Sequence, residues 1–242
     1  MIENLKKNLL RMRCRHTINN LESYLKHAQD KELSYLNFLA YVAENECNSR
    51  NQTLINLQIR RSSFPMLKSF DDFDFKYQHS VTKRMITEWK TFSWIDNREN
   101  KIFMGPPGVG KTHISIALGY EAILSGYKVI FYNMNDLIDE MIIANNENTF
   151  KKWIAKLVKN DLIIIDEIGY LPIKEVNASL FFKLIAELYE FRSIIITSNR
   201  LFQEWGESFG DSVITTAIVD RLVHHAETIL IDGNSYRMKG KL

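Results

Sequence analysis

The hydrophobic positions of the chain follow two different periods, and the change of period divides it into two parts. Residues 2–61 contain neither glycine nor proline, and their apolar residues recur every three or four positions, as at Leu5 and Leu9. That spacing is typical of amphipathic helices. We therefore predict a small all-helical N-terminal domain over residues 1–65, which ends at Pro65.

From about residue 82 onwards, short apolar runs alternate with longer stretches of helical spacing. Each run is rich in β-branched residues and is bounded by polar or turn residues, which is typical of buried strands. Strands that alternate with helices indicate crossover connections and a parallel sheet between two layers of helices. Residues 82–242 are therefore predicted to form an α/β core with a five-stranded parallel sheet. The predicted strands are residues 101–104, 128–132, 162–166, 193–197 and 228–231.

Residues 66–81 join the two parts and include the aromatic-rich stretch SFDDFDFKYQHSV at 69–81. Phenylalanine side chains are stabilised by burial. This connector is therefore predicted to pack against the fold rather than to act as a flexible linker.

The composition of the 242 residues is that of an ordinary globular protein, with 45% hydrophobic and 25% charged residues. No stretch approaches the roughly 18 apolar residues of a membrane helix. The charged N-terminus MIENLKKNLLRMRCRH does not resemble a secretory signal. Cys14 and Cys47 are too few and too far apart for a zinc site or a disulfide framework. These features predict a cytoplasmic protein with no membrane partner.

The sequence GPPGVGKTH follows the first predicted strand and leads into a helical stretch. It fits the pattern G-x-x-x-x-G-K-[ST], in which glycines let the backbone N–H groups approach phosphate oxygens and the helix N-terminus favours negative charge. The lysine is expected on the β and γ phosphates and the threonine hydroxyl on Mg²⁺. The predicted ATP-binding residues are Gly105, Pro106, Pro107, Gly108, Val109, Gly110, Lys111, Thr112 and His113.

A second apolar strand, LIIIDE at 162–167, ends in two carboxylates. We expect Asp166 to hold Mg²⁺ together with Thr112, and Glu167 to orient and polarise an attacking water. A third strand, SIIITSNR at 193–200, is followed by Asn199. Ligands of parallel sheets bind at the carboxyl ends of the strands. Asn199 is therefore predicted to contact both the γ phosphate and the water, although an asparagine there is also a common turn residue.

Phosphoryl transfer needs positive charge on the developing transition state, and a neighbouring subunit is a common source of it. Arg221, in AIVDRLVHH, is predicted to be such an arginine, and Arg237, in GNSYRMK, to sense the nucleotide. Either arginine has the alternative of pairing with a carboxylate such as Asp220. The neighbouring histidines, His224 and His225, are interpreted as surface or packing residues because no acid or cysteine cluster accompanies them.

Taken together, GPPGVGKTH, LIIIDEIGYLP, TSNR, FQEWGESFGDSVITTAIVDRLVHHAE and GNSYR closely resemble the IstB family of AAA+ proteins. These are ATP-binding helpers encoded beside the transposase of certain bacterial insertion sequences. The first three motifs occur in many AAA+ ATPases, whereas WGESFGDS and DRLVHH are specific to this family. The family is related to replicative helicase loaders of the DnaC and DnaI type.

The resemblance implies a bacterial, cytoplasmic, Mg²⁺-dependent ATPase that assembles as a homo-oligomer on duplex DNA, bends it, and recruits or activates the transposase. By resemblance, Lys111, Thr112, Asp166, Glu167, Asn199 and Arg221 match the family's Walker A, Walker B, sensor and finger positions. The chain stops five residues after Arg237, which leaves no room for the helical lid of larger AAA+ proteins. Sensing of the nucleotide by Arg237 would therefore operate without a full lid.

Basic residues form three clusters, at Lys6–Arg15, at Arg60 with Arg61, and in FKKWIAKLVK at 150–159. Proteins bind DNA without reading its sequence through Lys and Arg on phosphates. The third cluster occupies the position where related initiators and loaders carry helices that face DNA. A solvated helix face is the alternative. The predicted DNA contacts are Lys151, Lys152, Lys156 and Lys159.

Two functions remain open at this point. The first is the transposition helper. The second is a replicative helicase loader, which would use its N-terminal helices as a helicase-binding module and ATP as a timer. A catalytically inactive remnant is disfavoured because every catalytic position is present.

Overall fold

A computed structural model describes residues 1–170 and 175–238 of the chain. It divides into two compact units, Met1–Leu57 and Gln58–Leu242. The boundary falls inside one long helix, upstream of the boundary drawn from the sequence at residue 65. None of the helices in the described ranges is long and apolar enough to cross a membrane.

The first unit is helical, as the spacing of its apolar residues predicted. Its helices are α1 (Ile2–Arg11), α2 (Arg15–Asp30) and α3 (Tyr35–Arg61), the last of which continues into the second unit. Leu21 and Tyr24 of α2 are buried. The buried carboxylate of Glu46 on α3 accepts hydrogen bonds from the backbone N–H and the hydroxyl of Thr17, both at 2.8 Å. A buried charge needs such partners, so this contact fixes α2 against α3.

The second unit contains a five-stranded, wholly parallel sheet in the order β2-β3-β4-β1-β5, which confirms the predicted α/β class. All five strands predicted from the sequence are present, with ends shifted by one or two residues. The three central strands are buried throughout except at one acid of β3, which explains their continuous apolar runs. The strands are β1 (Asn100–Met104), β2 (Val129–Asn133), β3 (Leu162–Ile168), β4 (Ser193–Ser198) and β5 (Ala226–Leu230).

Helices connect these strands in the way expected for crossover units. Two short 3₁₀ turns, Phe202–Glu204 and Tyr236–Met238, complete the described elements. The helices of the second unit are α4 (Lys83–Trp89), α5 (Ser93–Asp96), α6 (Lys111–Leu124), α7 (Met134–Asn146), α8 (Phe150–Leu157), α9 (Glu175–Leu188), α10 (Trp205–Phe209) and α11 (Ser212–His224).

The connector belongs to the second unit and packs within it. Just before the connector, the carbonyl of Ser62 accepts a hydrogen bond from the N–H of Phe131 on β2, at 2.8 Å. Further along, the amide of Gln78 is buried and donates to the carbonyls of Val109 and Asp232, at 3.2 and 3.0 Å. The aromatic stretch is therefore a fixed part of the fold beside the glycine loop.

Candidate nucleotide-binding site

A cleft with a volume of about 490 Å³ lies at the carboxyl ends of β1, β3 and β4. This is the edge of a parallel sheet where ligands bind. Three parts of the chain form its wall, namely the glycine loop, the strand ends and the connector. Its lining includes Asp72, Phe73, Tyr77, Gln78, Pro107, Gly108, Val109, Gly110, Lys111, Thr112, His113, Glu167, Thr197, Asn199 and Arg237.

The glycine loop between β1 and α6 curls around its own lysine. The ammonium of Lys111 donates to the carbonyls of Gly105 and Pro106, at 2.6 and 2.8 Å. Burial lowers the pKa of Lys111, and the nearby Arg237 guanidinium adds to this effect, whereas Asp166 opposes it. Backbone carbonyls thus hold a partly desolvated cation that a phosphate would bind more strongly.

The glycines of this loop are needed for both conformation and space. Gly110, which precedes α6, has φ +103°, and a Cβ there would lie 2.8 Å from the ring of Phe73. Gly108 has φ +82°, and a Cβ there would lie 2.1 Å from the hydroxyl of Ser235. L-residues rarely adopt such φ values, so substitution is strained as well as crowded.

Asp166 is the buried acid of the site, with 5% of its surface exposed. It accepts hydrogen bonds from the hydroxyls of Thr112, at 2.9 Å, and Thr197, at 2.5 Å. Burial raises the pKa of Asp166, whereas the two hydroxyl bonds oppose that rise. A carboxylate beside a threonine hydroxyl, at the start of the helix after the glycine loop, is an oxygen donor set that suits Mg²⁺.

Glu167 is exposed and turns towards the cleft. Its backbone has φ +67°, and its N–H donates to the hydroxyl of Thr197 at 2.9 Å. One oxygen of its carboxylate accepts a hydrogen bond from the side-chain amide of Asn133, at 2.9 Å. A left-handed backbone at a residue other than glycine is a strained conformation that occurs often at functional sites.

Asn199 follows β4 and lines the same cleft. Its side-chain oxygen is buried and has no hydrogen-bond partner within the described residues. A buried polar atom without a hydrogen bond destabilises the folded protein, and a bound water or ligand would supply the missing hydrogen bond. The cleft therefore fits a nucleotide with its water and metal at three points: Lys111, the Thr112–Asp166 pair, and Asn199.

His113 and Arg237, both predicted as nucleotide-binding residues, line the cleft. A ring nitrogen of His113 lies 2.7 Å from the carbonyl of Ser69, and the ring packs edge-to-face on Phe73. His113 therefore also anchors the connector beside the loop. Arg237 lies in the 3₁₀ turn after β5.

Arg221 lies elsewhere and does not line this cleft. Its guanidinium donates to the carbonyl of Ala217 at 3.0 Å and stacks over the ring of Phe182, 4.6 Å from the ring centroid. It faces a shallow depression on the exposed side of α11, beside Val213 and Thr216. Asp220, the pairing partner considered from the sequence, lines the same depression, but no ion pair joins it to Arg221 in the described structure.

The four predicted DNA-contacting lysines are all exposed. Lys151, Lys152 and Lys156 lie on α8, and Lys159 lies in the turn that follows it. The opposite side of α8 carries the buried residues Ile154 and Leu157. The helix is therefore amphipathic, with a basic outer side.

Sequence reasoning missed several residues that the structure brings to the site. Asn133 and Thr197 hold the two acids, and Phe73, Tyr77 and Gln78 form the connector wall of the cleft. The aromatic stretch did signal that the connector packs somewhere, but nothing in its pattern identified the glycine loop as the contact. Asn133 and Thr197 are single polar residues at strand ends, and only the parallel register aligns them with the acids.

Comparison with known proteins agrees with this geometry. Residues 7–242 match the family described as IstB-like ATP binding protein. An ATP-binding protein of insertion sequence IS21 from Pseudomonas aeruginosa is 41% identical over 233 residues, covering 96% of this chain and 88% of that protein. Its counterpart in IS5376 from Geobacillus stearothermophilus is 43% identical over 216 residues, covering 89% and 86%. Among solved structures, the DnaC helicase loader is similar, with TM-score 0.51 and 20% identity, covering 62% of this chain and 89% of that one.

The family match spans almost the whole chain, and the relatives match over most of their own length. The likeness to DnaC supports the same P-loop arrangement of sheet and helices. The chain therefore belongs to the IstB-like ATP-binding proteins of insertion sequences, and its fold is that of a AAA+ P-loop protein with N-terminal helices.

Proposed function

We propose that this chain is a Mg²⁺-dependent ATP hydrolase that assembles as a homo-oligomer on duplex DNA and recruits or activates the transposase of its insertion sequence, in the bacterial cytoplasm. The observation that carries the proposal is the separation of the residues that are predicted to be catalytic. The cleft contains the acids and the amide for hydrolysis, whereas Arg221 lies on a different surface. Such a site is complete only when a neighbouring subunit supplies the arginine.

Within the cleft, each residue has a distinct role. The loop N–H groups and Lys111 would bind the phosphates, while Thr112 and Asp166 would hold Mg²⁺, which neutralises developing phosphate charge when bound. Glu167 orients the attacking water and accepts a proton from it. The side-chain oxygen of Asn199, which has no partner among the described residues, fixes the position of that water.

The position of Arg221 supports assembly between subunits. Within the described residues, the guanidinium of Arg221 donates to the carbonyl of Ala217 and stacks on Phe182, which keeps other donors available at the surface of α11. An arginine supplied in trans contributes about 10³–10⁵ to the rate of phosphoryl transfer. ATP bound between subunits would then favour the assembled form by mass action.

Duplex DNA is the proposed polyanion for α8 and the turn that follows it. Three exposed lysines on this short amphipathic helix and a fourth in the turn supply positive charge without base-reading geometry. Binding of this kind weakens steeply with salt. The transposase is the proposed protein partner because the curated relatives are ATP-binding proteins of insertion sequences.

The likeness to the DnaC helicase loader favours a second candidate, in which the N-terminal helices bind a replicative helicase. The two candidates predict different partners for residues 1–57. Pull-down of the full chain against purified transposase and purified helicase distinguishes them.

Mixing two inactive variants tests the shared site. Arg221→Ala keeps a complete cleft but lacks the arginine, whereas Glu167→Gln keeps the arginine but lacks the acid. Each variant alone should be nearly inactive, and the mixture should regain a substantial part of the activity because one interface combines both intact halves. An arginine that acted within its own subunit would give no recovery on mixing. The matched control is Glu167→Gln mixed with the double variant, which should stay inactive.

A further inference from the structure

A hydrogen-bonded chain joins the basic helix to the catalytic side of the sheet. The indole N–H of Trp153, on α8, donates to one carboxylate oxygen of Glu140 at 2.9 Å. The same oxygen accepts the hydroxyl of Tyr132 at 3.0 Å. Glu140 lies on α7 and Tyr132 on β2, so three elements meet at one oxygen.

The residue after Tyr132 is Asn133, which holds Glu167. The side-chain amide of Asn133 makes two bonds at once: its nitrogen donates to Glu167, and its oxygen accepts the N–H of Asn135, at 3.1 Å, to cap α7. The two bonds share one planar group, so a rotation that releases Glu167 also disturbs the cap. The helix that carries Glu140 therefore begins at the residue that restrains the catalytic acid.

The direction of both hydrogen bonds to Glu140 is fixed by the chemistry of the two donors. An indole N–H can only donate, and Tyr132 keeps its proton because burial and the neighbouring Glu140 raise the pKa of its hydroxyl. Glu140 is thus the acceptor for both groups. Trp153 also stacks on Phe150 of the same helix, with ring centroids 5.8 Å apart, which restrains the indole relative to the lysine-bearing helix.

We propose that Trp153, Glu140 and Tyr132 are positioning residues that connect a polyanion bound on α8 to the restraint of Glu167 by Asn133. This inference rests on the proposed function, since it takes duplex DNA as the polyanion and ATP hydrolysis as the reaction. A displacement of α8 by phosphate contacts pulls on Glu140 and, through β2 and the α7 cap, changes how firmly Asn133 holds Glu167.

The same contacts would also transmit a change at Glu167 outward to α8. We therefore expect nucleotide in the cleft to alter the surroundings of Trp153. The effect of DNA on hydrolysis is measured with DNA present, whereas the effect of nucleotide on Trp153 is measured without DNA. The two experiments therefore distinguish a failure of the inference from a failure of the proposed function.

The first experiment compares steady-state ATP hydrolysis with and without duplex DNA. Glu140→Ala should reduce the ratio of kcat with DNA to kcat without it about fivefold, which corresponds to roughly 1 kcal/mol of activation free energy. KM for ATP and the affinity for DNA should stay within about twofold. Glu140→Gln, which keeps an acceptor oxygen, should retain part of the response, and Asp139→Ala, an exposed acid on the same helix, should retain all of it.

The second experiment follows Trp153 fluorescence, taken as the difference between the unaltered protein and Trp153→Phe. A non-hydrolysable ATP analogue with Mg²⁺ should shift this emission in the unaltered protein. Asn133→Asp keeps the oxygen that caps α7 but cannot donate to Glu167, so the shift should disappear.

An unchanged DNA response in Glu140→Ala would overturn the inference. If the unaltered protein shows no DNA response at all, the proposed DNA function fails and the fluorescence experiment alone decides. A Trp153 emission that ignores nucleotide, or that shifts equally in Asn133→Asp, contradicts the coupling.

Discussion

Thr197 is the residue whose hydroxyl holds both acids of the cleft. It donates to Asp166 at 2.5 Å and accepts the backbone N–H of Glu167 at 2.9 Å. The side chain is 1% exposed, so water cannot easily replace it. Thr197→Val keeps the shape of the side chain and removes only these two bonds.

The cost of Thr197→Val follows from the environment of each partner. A hydrogen bond to a charged group contributes about 1.5–3 kcal/mol. The bond to Asp166 is buried and lies in this range, whereas the bond to the N–H of Glu167 is only partly buried and contributes less. We therefore expect a loss of about 2 kcal/mol, which lowers Tm by roughly 4–8 °C in a domain of this size. Loss of the hydroxyl also raises the pKa of Asp166 further, which weakens Mg²⁺ binding.

Calorimetry of the nucleotide-free protein measures the change in Tm, and titration with a fluorescent ATP analogue measures binding with and without Mg²⁺. The control is Thr197→Ser, which keeps the hydroxyl and loses one methyl group, at a cost of about 1 kcal/mol. Its Mg²⁺-dependent binding should match that of the unaltered protein. If Thr197→Val melts at the unaltered temperature and binds Mg²⁺–ATP normally, Thr197 does not position the acids.

Three further predictions concern the cleft and the surface arginine. Gly110→Ala should weaken ATP binding at least tenfold in a fluorescence titration, because its φ of +103° and the ring of Phe73 both exclude a Cβ; an unchanged affinity would refute that crowding. Burial raises the pKa of Asp166 in the folded protein. Asp166 therefore contributes its full stability at pH values below its pKa in the unfolded chain, and this contribution is lost as the pH rises through its pKa in the folded protein. Asp166→Asn should therefore raise Tm at pH 8 without Mg²⁺ while abolishing Mg²⁺-dependent binding, and a lower Tm counts against the assignment. Arg221→Ala should leave ATP affinity within about twofold and lower kcat at least 10³-fold. If ATP affinity fell as much as kcat, the arginine would act in the cleft of its own subunit.

The sheet was predictable from the sequence because its signals are local. Runs such as Ile163–Ile165 are apolar at every position, which occurs where a strand is covered on both faces. The glycine loop was equally clear, since its spacing is set by contact with phosphate rather than by packing. The positions of Asp166 and Glu167 were predictable because carboxylates at the end of a buried strand must face the edge of the sheet.

Contacts between distant residues could not be predicted in the same way. Asn133 meets Glu167 only because β2 pairs with β3 in a register that sets Asn133 opposite Asp166. Strand order decides such a neighbour, and the spacing of residues along the chain does not encode it. The bond between Trp153 and Glu140 likewise depends on how α8 packs against α7.

The role of the connector was only half predictable. Its phenylalanines indicated packing, but the contact of Phe73 with His113, at 5.3 Å between ring centroids, joins two segments separated by a strand and two helices. The domain boundaries at residues 65 and 81 remain a sequence-based proposal. The structure divides the chain inside α3, where no proline or glycine marks a break.

Sedimentation of the full chain with duplex DNA tests the central proposal most directly. Samples contain ATP, ADP or no nucleotide, and Glu167→Gln is measured in parallel because it should bind ATP without hydrolysing it. The proposed function predicts large DNA-bound particles with ATP, which persist in Glu167→Gln and disperse with ADP or at high salt. A chain that remains off the DNA in every nucleotide state would contradict it.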